Sequence, residues 1–363
     1  MKDRDQKAKA LAYSVSKRWF PQLEVDVQAP HAVARKTALI TDLDVFAAVP
    51  DDFVGFRHVV FDCKTLARES PVNRTLWLRG VLDRTNSDYG FCILKKNSVE
   101  ADHKLVATRL NVVLLAEDEF DIYAEATSRN YRQPIGHTAN MDAWDRMFNI
   151  KERSPALAPA LQFCRSAYWV QAEAGEACRK TVAALHDIRA ELDPAKAAHL
   201  AVATDFAALF ARALALLASY LFRAYLHPKK QVELEEAVKM LLYGGRDAYE
   251  HRNQLYRLLK EKNGADPAPN DLALPEWPRF VQLIRQLLDD PVAVSNAPLI
   301  LREVAFAQLL ETPDLEFAKV LCRESPQAGR FAVLIADYLF KSARLPPDFA
   351  KQVDMRLIGL LQK

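Results

Sequence analysis

The sequence predicts a mixed α/β domain, a sheet flanked by helices, followed by an all-α domain. Residues 1–126 alternate between helical stretches and short strand-like runs, in the order helix, three strands, helix, strand, helix, strand. From residue 156 to 363, alanine- and leucine-rich segments at helical spacing dominate, and a polar stretch over 127–155 reads as the linker between the two. The length of 363 residues allows two domains, and a hydrophobic content of 50% excludes a chain that is mainly disordered.

The first element spans residues 2 to about 19. Ala8, Leu11, Ala12, Val15 and Trp19 recur on one face, while Lys2, Arg4, Lys7, Lys9, Lys17 and Arg18 make the remainder basic. Such a face is ordinarily solvated, and contact with a phosphate backbone is the alternative. Pro21 ends the helix. Leu23, Val25 and Val27 then alternate with Glu24 and Asp26 in a short strand, where Glu24 is either a further carboxylate near a site or part of an exposed strand face.

Leu39 to Leu66 (LITDLDVFAAVPDDFVGFRHVVFDCKTL) holds two alternating runs joined by VPDDFVG, whose Pro, paired Asp and Gly suit a hairpin connection. Side chains two apart on a strand share a face, so Ile40, Asp42, Asp44 and Phe46 go together on the first run, and Asp62 and Lys64 on the second. Folding the hairpin brings Asp44 toward Asp62 and Lys64, a patch suited to a hard cation beside a phosphate-directed lysine. The competing reading is a solvated hairpin on which Lys64 pairs with exposed Asp42, Asp44 and Asp62. Clustered carboxylates repel one another unless a cation or several basic groups neutralise them. Strand alternation turns Cys63 to the opposite face, into the core and away from any nucleophilic role.

Next, Ser70 is placed as an N-cap and Pro71 at the first helical position, opening the helix VNRTLWLRGVLDRT. Tyr89 to Leu94 is a strand by its aromatic and β-branched run, closed by Lys95 and Lys96. ADHKLVATRL from Ala101 is a short helix, and NVVLLAED from Asn111 an apolar strand fit for a sheet interior.

The acidic strand, the Asp62-Cys63-Lys64 triplet behind the apolar run VVF, and the helix and strand continuation resemble the core of the PD-(D/E)XK, or restriction-endonuclease-like, nuclease superfamily. The resemblance covers the N-terminal third of the chain. Asp44 in DLDVFA matches the first acidic position and Asp62-Cys63-Lys64 the second motif. It implies metal-dependent hydrolysis of phosphodiester bonds in nucleic acid, DNA before RNA, in bacterial DNA processing or phage defence. It further implies Mg²⁺, with Mn²⁺ as substitute, held by Asp44, Asp62 and the backbone carbonyl of Cys63, with Asp42 a candidate outer ligand. Lys64 would orient water or neutralise charge on the phosphate. Arg74, Arg79, Lys95 and Lys96 are candidate nucleic-acid contacts, each also readable as plain surface charge. Members of the superfamily often carry an acid on the opening helix; Asp3 and Asp5 are the only such residues here. The alternative function is a catalytically inactive, nuclease-derived scaffold or interaction subunit of a larger assembly.

Helices are expected over 176–192, 195–226, 231–243 and 246–262, and then at Arg279–Leu288, Pro298–Glu311, Leu315–Arg323, Gly329–Ser342 and Pro347–Leu361. No repeat period links them. This domain would bind a partner protein, oligomerise or position substrate. His251, between Glu250 and Arg252, lacks a second His at i+4 and reads as a solvated residue. The most apolar segment, Phe206–Leu226, is interrupted by Arg212 and Arg223, which favours a buried helix over a membrane span. A net charge of +2 gives no polycation signal, so nucleic acid would have to meet a local basic surface. Five cysteines without a Cys-x-x-Cys pair argue against a zinc ribbon or disulfide framework. With no signal-peptide h-region, they point to the cytoplasm.

Overall fold

The computed structural model describes residues 2–28, 39–51, 55–64, 70–95, 98–133, 135–171, 173–226, 228–262, 272–310 and 314–362. They divide into two compact units. The first comprises Met1–Asp52, Phe56–Val170 and Phe306–Ala318; the second comprises Phe53–Gly55, Gln171–Ala305 and Lys319–Lys363.

The first unit runs α1 (Arg4–Ser16), β1 (Phe20–Gln28), β2 (Leu39–Asp51), β3 (Gly55–Lys64), α2 (Pro71–Thr85), β4 (Tyr89–Leu94), α3 (Ala101–Arg109), β5 (Val112–Ala116) and α4 (Glu117–Thr127). The strands lie side by side in chain order in one five-stranded sheet. β1 is antiparallel to β2, whereas β3, β4 and β5 are parallel. Parallel neighbours need crossovers, which α2 and α3 provide. β4 is buried from Gly90 onward because helices cover parallel strands, which explains its nearly unbroken apolar run. The Ser70 hydroxyl accepts the Asn73 N–H at 3.4 Å, as the cap motif predicts, and Asn86 in the left-handed region ends α2. An aromatic core joins sheet to helices: Phe61 stacks on Phe91 with centroids 4.8 Å apart, and Tyr13 of α1 meets Phe61 and Phe120 edge-on.

Two local expectations change. The strand from Asn111 ends at Ala116, because Glu117, Asp118 and Glu119 form the first turn of α4, where carboxylates are favoured by the helix dipole. Glu119 also accepts the Ala116 N–H at 2.8 Å. Where a linker was expected, a 3₁₀ turn (His137–Ala139), α5 (Met141–Phe148) and α6 (Ile150–Arg153) follow within the first unit, and α7 (Ala158–Gln162) comes after. Met141, Trp144 and Met147 are buried at helical spacing, and the Asn140 side chain caps α5.

The second unit is helical: α8 (Ala174–Asp187), α9 (Ala197–Tyr225), α10 (Gln231–Tyr243), α11 (Arg246–Lys262), α12 (Trp277–Leu287), α13 (Pro291–Val294), α14 (Ala297–Ala307), α15 (Glu316–Glu324), α16 (Pro326–Ser342) and α17 (Pro347–Leu361), the last residues of α14 and the first of α15 belonging to the first unit. α9 is long and apolar enough to cross a membrane, yet 94% of its most apolar window is buried, as a central core helix requires. Arg212 and Asp205 are buried with it, Asp205 accepting from Arg302 Nε at 2.7 Å. α8 and α10 approach so closely that a Cβ on Gly175 would fall 2.3 Å from the Leu241 carbonyl oxygen. Glu250, His251 and Arg252 are all exposed on α11.

Candidate active site

The antiparallel register of β1 and β2 sets Leu23 opposite Val45 and Val25 opposite Leu43, so Glu24 faces Asp44 across the pair. Glu24 has a left-handed backbone (φ 57°), uncommon for a bulky residue within a strand. Its carboxylate accepts a hydrogen bond from Lys7 of α1, whose ammonium also lies 2.9 Å from Asp44 Oδ1. Lys7 is 2% exposed. The expected solvated basic face is not what forms: of its six residues only Lys2 is exposed, Arg4, Lys9, Lys17 and Arg18 are half-buried, and Lys7 joins Ala10, Leu11 and Ser14 in the buried stripe of α1. Burial pulls its ammonium down, but Asp44 and Glu24 outweigh that and hold it above the ordinary lysine value.

Asp44, 4% exposed, is served from both sides. The Cys63 N–H donates to Oδ2 at 2.7 Å, and Lys64 Nζ stands 3.6 Å from the same oxygen. Burial nevertheless raises the Asp44 carboxyl above its usual range, against the pull of Lys64, Lys7 and the Cys63 N–H. Cys63 itself is fully buried, and burial first, then the two carboxylates, push its thiol well up.

Asp62, 3% exposed, is clasped by Arg74 of α2. Arg74 Nε donates to Oδ2 at 2.5 Å and Nη2 to Oδ1, while the guanidinium stacks on Trp77, 3.6 Å from its centroid. The Cys92 thiol donates to Oδ2 at 3.7 Å. Lys64 Nζ is 3.6 Å from Asp62 Oδ1, the same distance as from Asp44 Oδ2, so these two oxygens lie within twice that distance of each other. Burial lowers the Lys64 ammonium, but Asp44 and Asp62 raise it further, and it stays protonated at neutral pH.

A cavity of about 500 Å³ opens over this cluster, lined by Asp44, Lys64, Lys7, Glu24, Asp42 and Asp3, with Lys2, Asp145, Phe148, Asn149 and Arg165 completing it. Arg165 donates through Nε to the Glu24 carbonyl at 2.6 Å and pairs with Asp26 at 3.3 Å. The sequence-predicted Asp44, Asp62 and Lys64 therefore meet, and Asp42 reaches the same cavity from an exposed position on β2. Asp3, at the start of α1, lines it too and adds to the field on Lys64. Arg74 is turned to Asp62 and Arg79 to Asp83. Lys95 is exposed at the end of β4, and Lys96 lies outside the described residues.

Lys7 and Arg165 were not foreseen. Lys7 left one trace, a charged residue in register with Ala10, Leu11 and Ser14; Arg165 left none, since its partners are on β1 far upstream.

The donors are hard carboxylate oxygens, the kind Mg²⁺ or Mn²⁺ takes. Lys7, seated between Glu24 and Asp44, marks where positive charge is drawn. Among the described residues no three Asp, Glu, His or Cys side chains converge as they stand, the carboxylates being spaced by Lys7, Lys64 and Arg74. Comparison with family models, with curated proteins and with solved structures finds no match.

Proposed function

We propose that the chain is a metal-dependent nuclease of restriction-endonuclease-like fold, hydrolysing phosphodiester bonds of nucleic acid, DNA before RNA, in the cavity over Asp44 and Lys64. The observation that carries this reading is the meeting of Asp44, Asp62 and Lys64 from neighbouring strands about one ammonium beside a cavity. The sheet order, with β3 and β4 parallel and α2 between them, supports the fold assignment.

Asp44 and Asp62, with the Cys63 carbonyl as the resemblance implies, would hold Mg²⁺ or Mn²⁺, and Asp42, which lines the same cavity, would be an outer ligand. The metal would supply Lewis acidity toward the phosphate and a more acidic bound water. Lys64, held protonated by two carboxylates, contributes a fixed positive charge to the cavity, suited to the negative charge that develops on phosphate oxygens. The Cys63 N–H fixes the Asp44 carboxylate so that its orientation does not depend on the ligand. The helical unit would serve partner binding or self-association, read out by the mass of the native assembly.

The test is cleavage of plasmid and single-stranded DNA with Mg²⁺ or Mn²⁺. Lys64→Ala should lower the rate by about two to three orders of magnitude, as loss of a preorganised charge does, and Asp44→Ala should abolish it. Equal rates in all three proteins would remove the cluster from the mechanism. A scaffold is the second reading, favoured by one observation: Arg74 and Lys7 neutralise Asp62 and Asp44 without any metal. No detectable cation binding by the wild type, together with no cleavage of any substrate, would select it.

A further inference from the structure

We propose that Lys7 is a built-in cation for the Glu24–Asp44 pair, occupying the seat a divalent metal would take, so that a metal binds there only when the Lys7 ammonium withdraws. This seat shares Asp44 with the Asp44–Asp62 position of the nuclease reading but not Asp62, and the proposal rests on that reading only for the purpose of the metal.

Each of the two carboxylates has its own outward cation. Asp44 Oδ2 has Lys64 at 3.6 Å, and Glu24 Oε2 has Arg165 at 4.0 Å. Their other oxygens, Asp44 Oδ1 and Glu24 Oε1, both take Lys7, and among the described ion pairs only Lys7 joins them. This is the arrangement a bridging metal makes: one positive centre between two carboxylates brought face to face by strand register. The backbone at Lys7 is not free to retreat, since Ala10, Leu11 and Val15 anchor α1 with no exposed surface. The four-carbon side chain, however, ends in a cavity large enough to receive it.

Removing the ammonium leaves the buried Asp44 carboxylate facing the half-buried Glu24 carboxylate, a charge that a divalent cation can satisfy. The experiment is a Mn²⁺ titration followed by the paramagnetic signal of free Mn²⁺, without nucleic acid, on wild type, Lys7→Met and Lys7→Met/Glu24→Gln. Lys7→Met should bind one Mn²⁺ roughly tenfold or more tightly than wild type, and the double variant should lose most of that gain, as removing a group that supports a metal does. No gain in Lys7→Met, or an equal gain in the double variant, overturns the proposal. If Lys7→Met does not fold in metal-free buffer, recovery by Mn²⁺ supports the seat, and recovery by Glu24→Gln but not by Mn²⁺ overturns it. Cleavage by the wild type is a separate readout. A Lys7→Met chain that gains Mn²⁺ in a protein that never cuts DNA keeps the seat and discards the nuclease reading.

Discussion

Lys64 is held by two carboxylates that are themselves almost fully buried, which gives the cluster a pH signature. In the folded chain the Lys7 and Lys64 ammonium groups both lie above the ordinary lysine value of 10.5. A raised lysine contributes stability that is complete below its unfolded value and is lost as pH rises through the folded one. The midpoint of thermal unfolding should therefore fall as the pH is taken above about 10.5, and Lys64→Met should show a shallower fall. An identical alkaline slope in the two proteins would mean that Lys64 is not coupled to Asp44 and Asp62. Asp44 has the same sign of dependence at the acid end of the scale. Its raised carboxyl favours the folded chain below the ordinary value of 3.8, and that contribution fades as pH rises through the raised one. At this scale the predicted Asp44, Asp62 and Lys64 were legible because strand alternation assigns faces without any knowledge of the rest of the fold. Lys7 was not, because a lysine on a charged helix reads as solvated until Glu24 and Asp44 are known to stand opposite it.

Elements aim these side chains. Arg74 sits in the first turns of α2, so its clasp on Asp62 depends on where that helix begins, and Ser70 with Pro71 fixes the beginning. Ser70→Ala should cost about 1 kcal/mol, typical for loss of an N-cap, measured by urea unfolding monitored by circular dichroism. A cost indistinguishable from zero would show that packing alone starts α2. In the helical unit the tight element contact is at Gly175, where any side chain meets the backbone of Leu241 and Leu242. Gly175→Leu should push α8 from α10 and destabilise by roughly 3 kcal/mol, in the range of overpacked cores; a melt within one degree of wild type would contradict the packing. The eight elements from α1 to β5 were legible because their periods change from 3.6 to 2 at each Pro, Gly or polar turn. α4 was hidden by its own acids, which read as a polar strand end although they serve a helix dipole. α5 was hidden by the polar stretch around it, and only the Met141, Trp144 and Met147 spacing gave a trace.

At the scale of the whole molecule, the first unit is not one continuous piece of sequence. Trp144 packs edge-on against Phe306 with centroids 4.7 Å apart, both fully buried side chains. Arg146 donates to the Leu309 carbonyl at 2.7 Å, and His137 Nε2 is 2.6 Å from the Asp314 carbonyl. Residues 306–310 and 314 thus complete the packing around α5 although roughly 160 residues separate α5 from Phe306. Local periodicity carries no record of such a return, which is why the sequence suggested a linker where the chain folds against its own distant segment. A chain cut after Val170 lacks that segment and exposes Trp144. Losing Phe306 alone costs about 3–5 kcal/mol by the behaviour of buried aromatics, a large part of the roughly 5–15 kcal/mol that holds a domain together. The 1–170 fragment should therefore show a broad, weakly cooperative melt and a red-shifted tryptophan emission. Phe306→Ala in the full chain should lower the transition of the first unit and leave that of the second in place. A sharp melt of the fragment at the wild-type temperature would instead make 306–318 a passenger on a domain already complete at Val170.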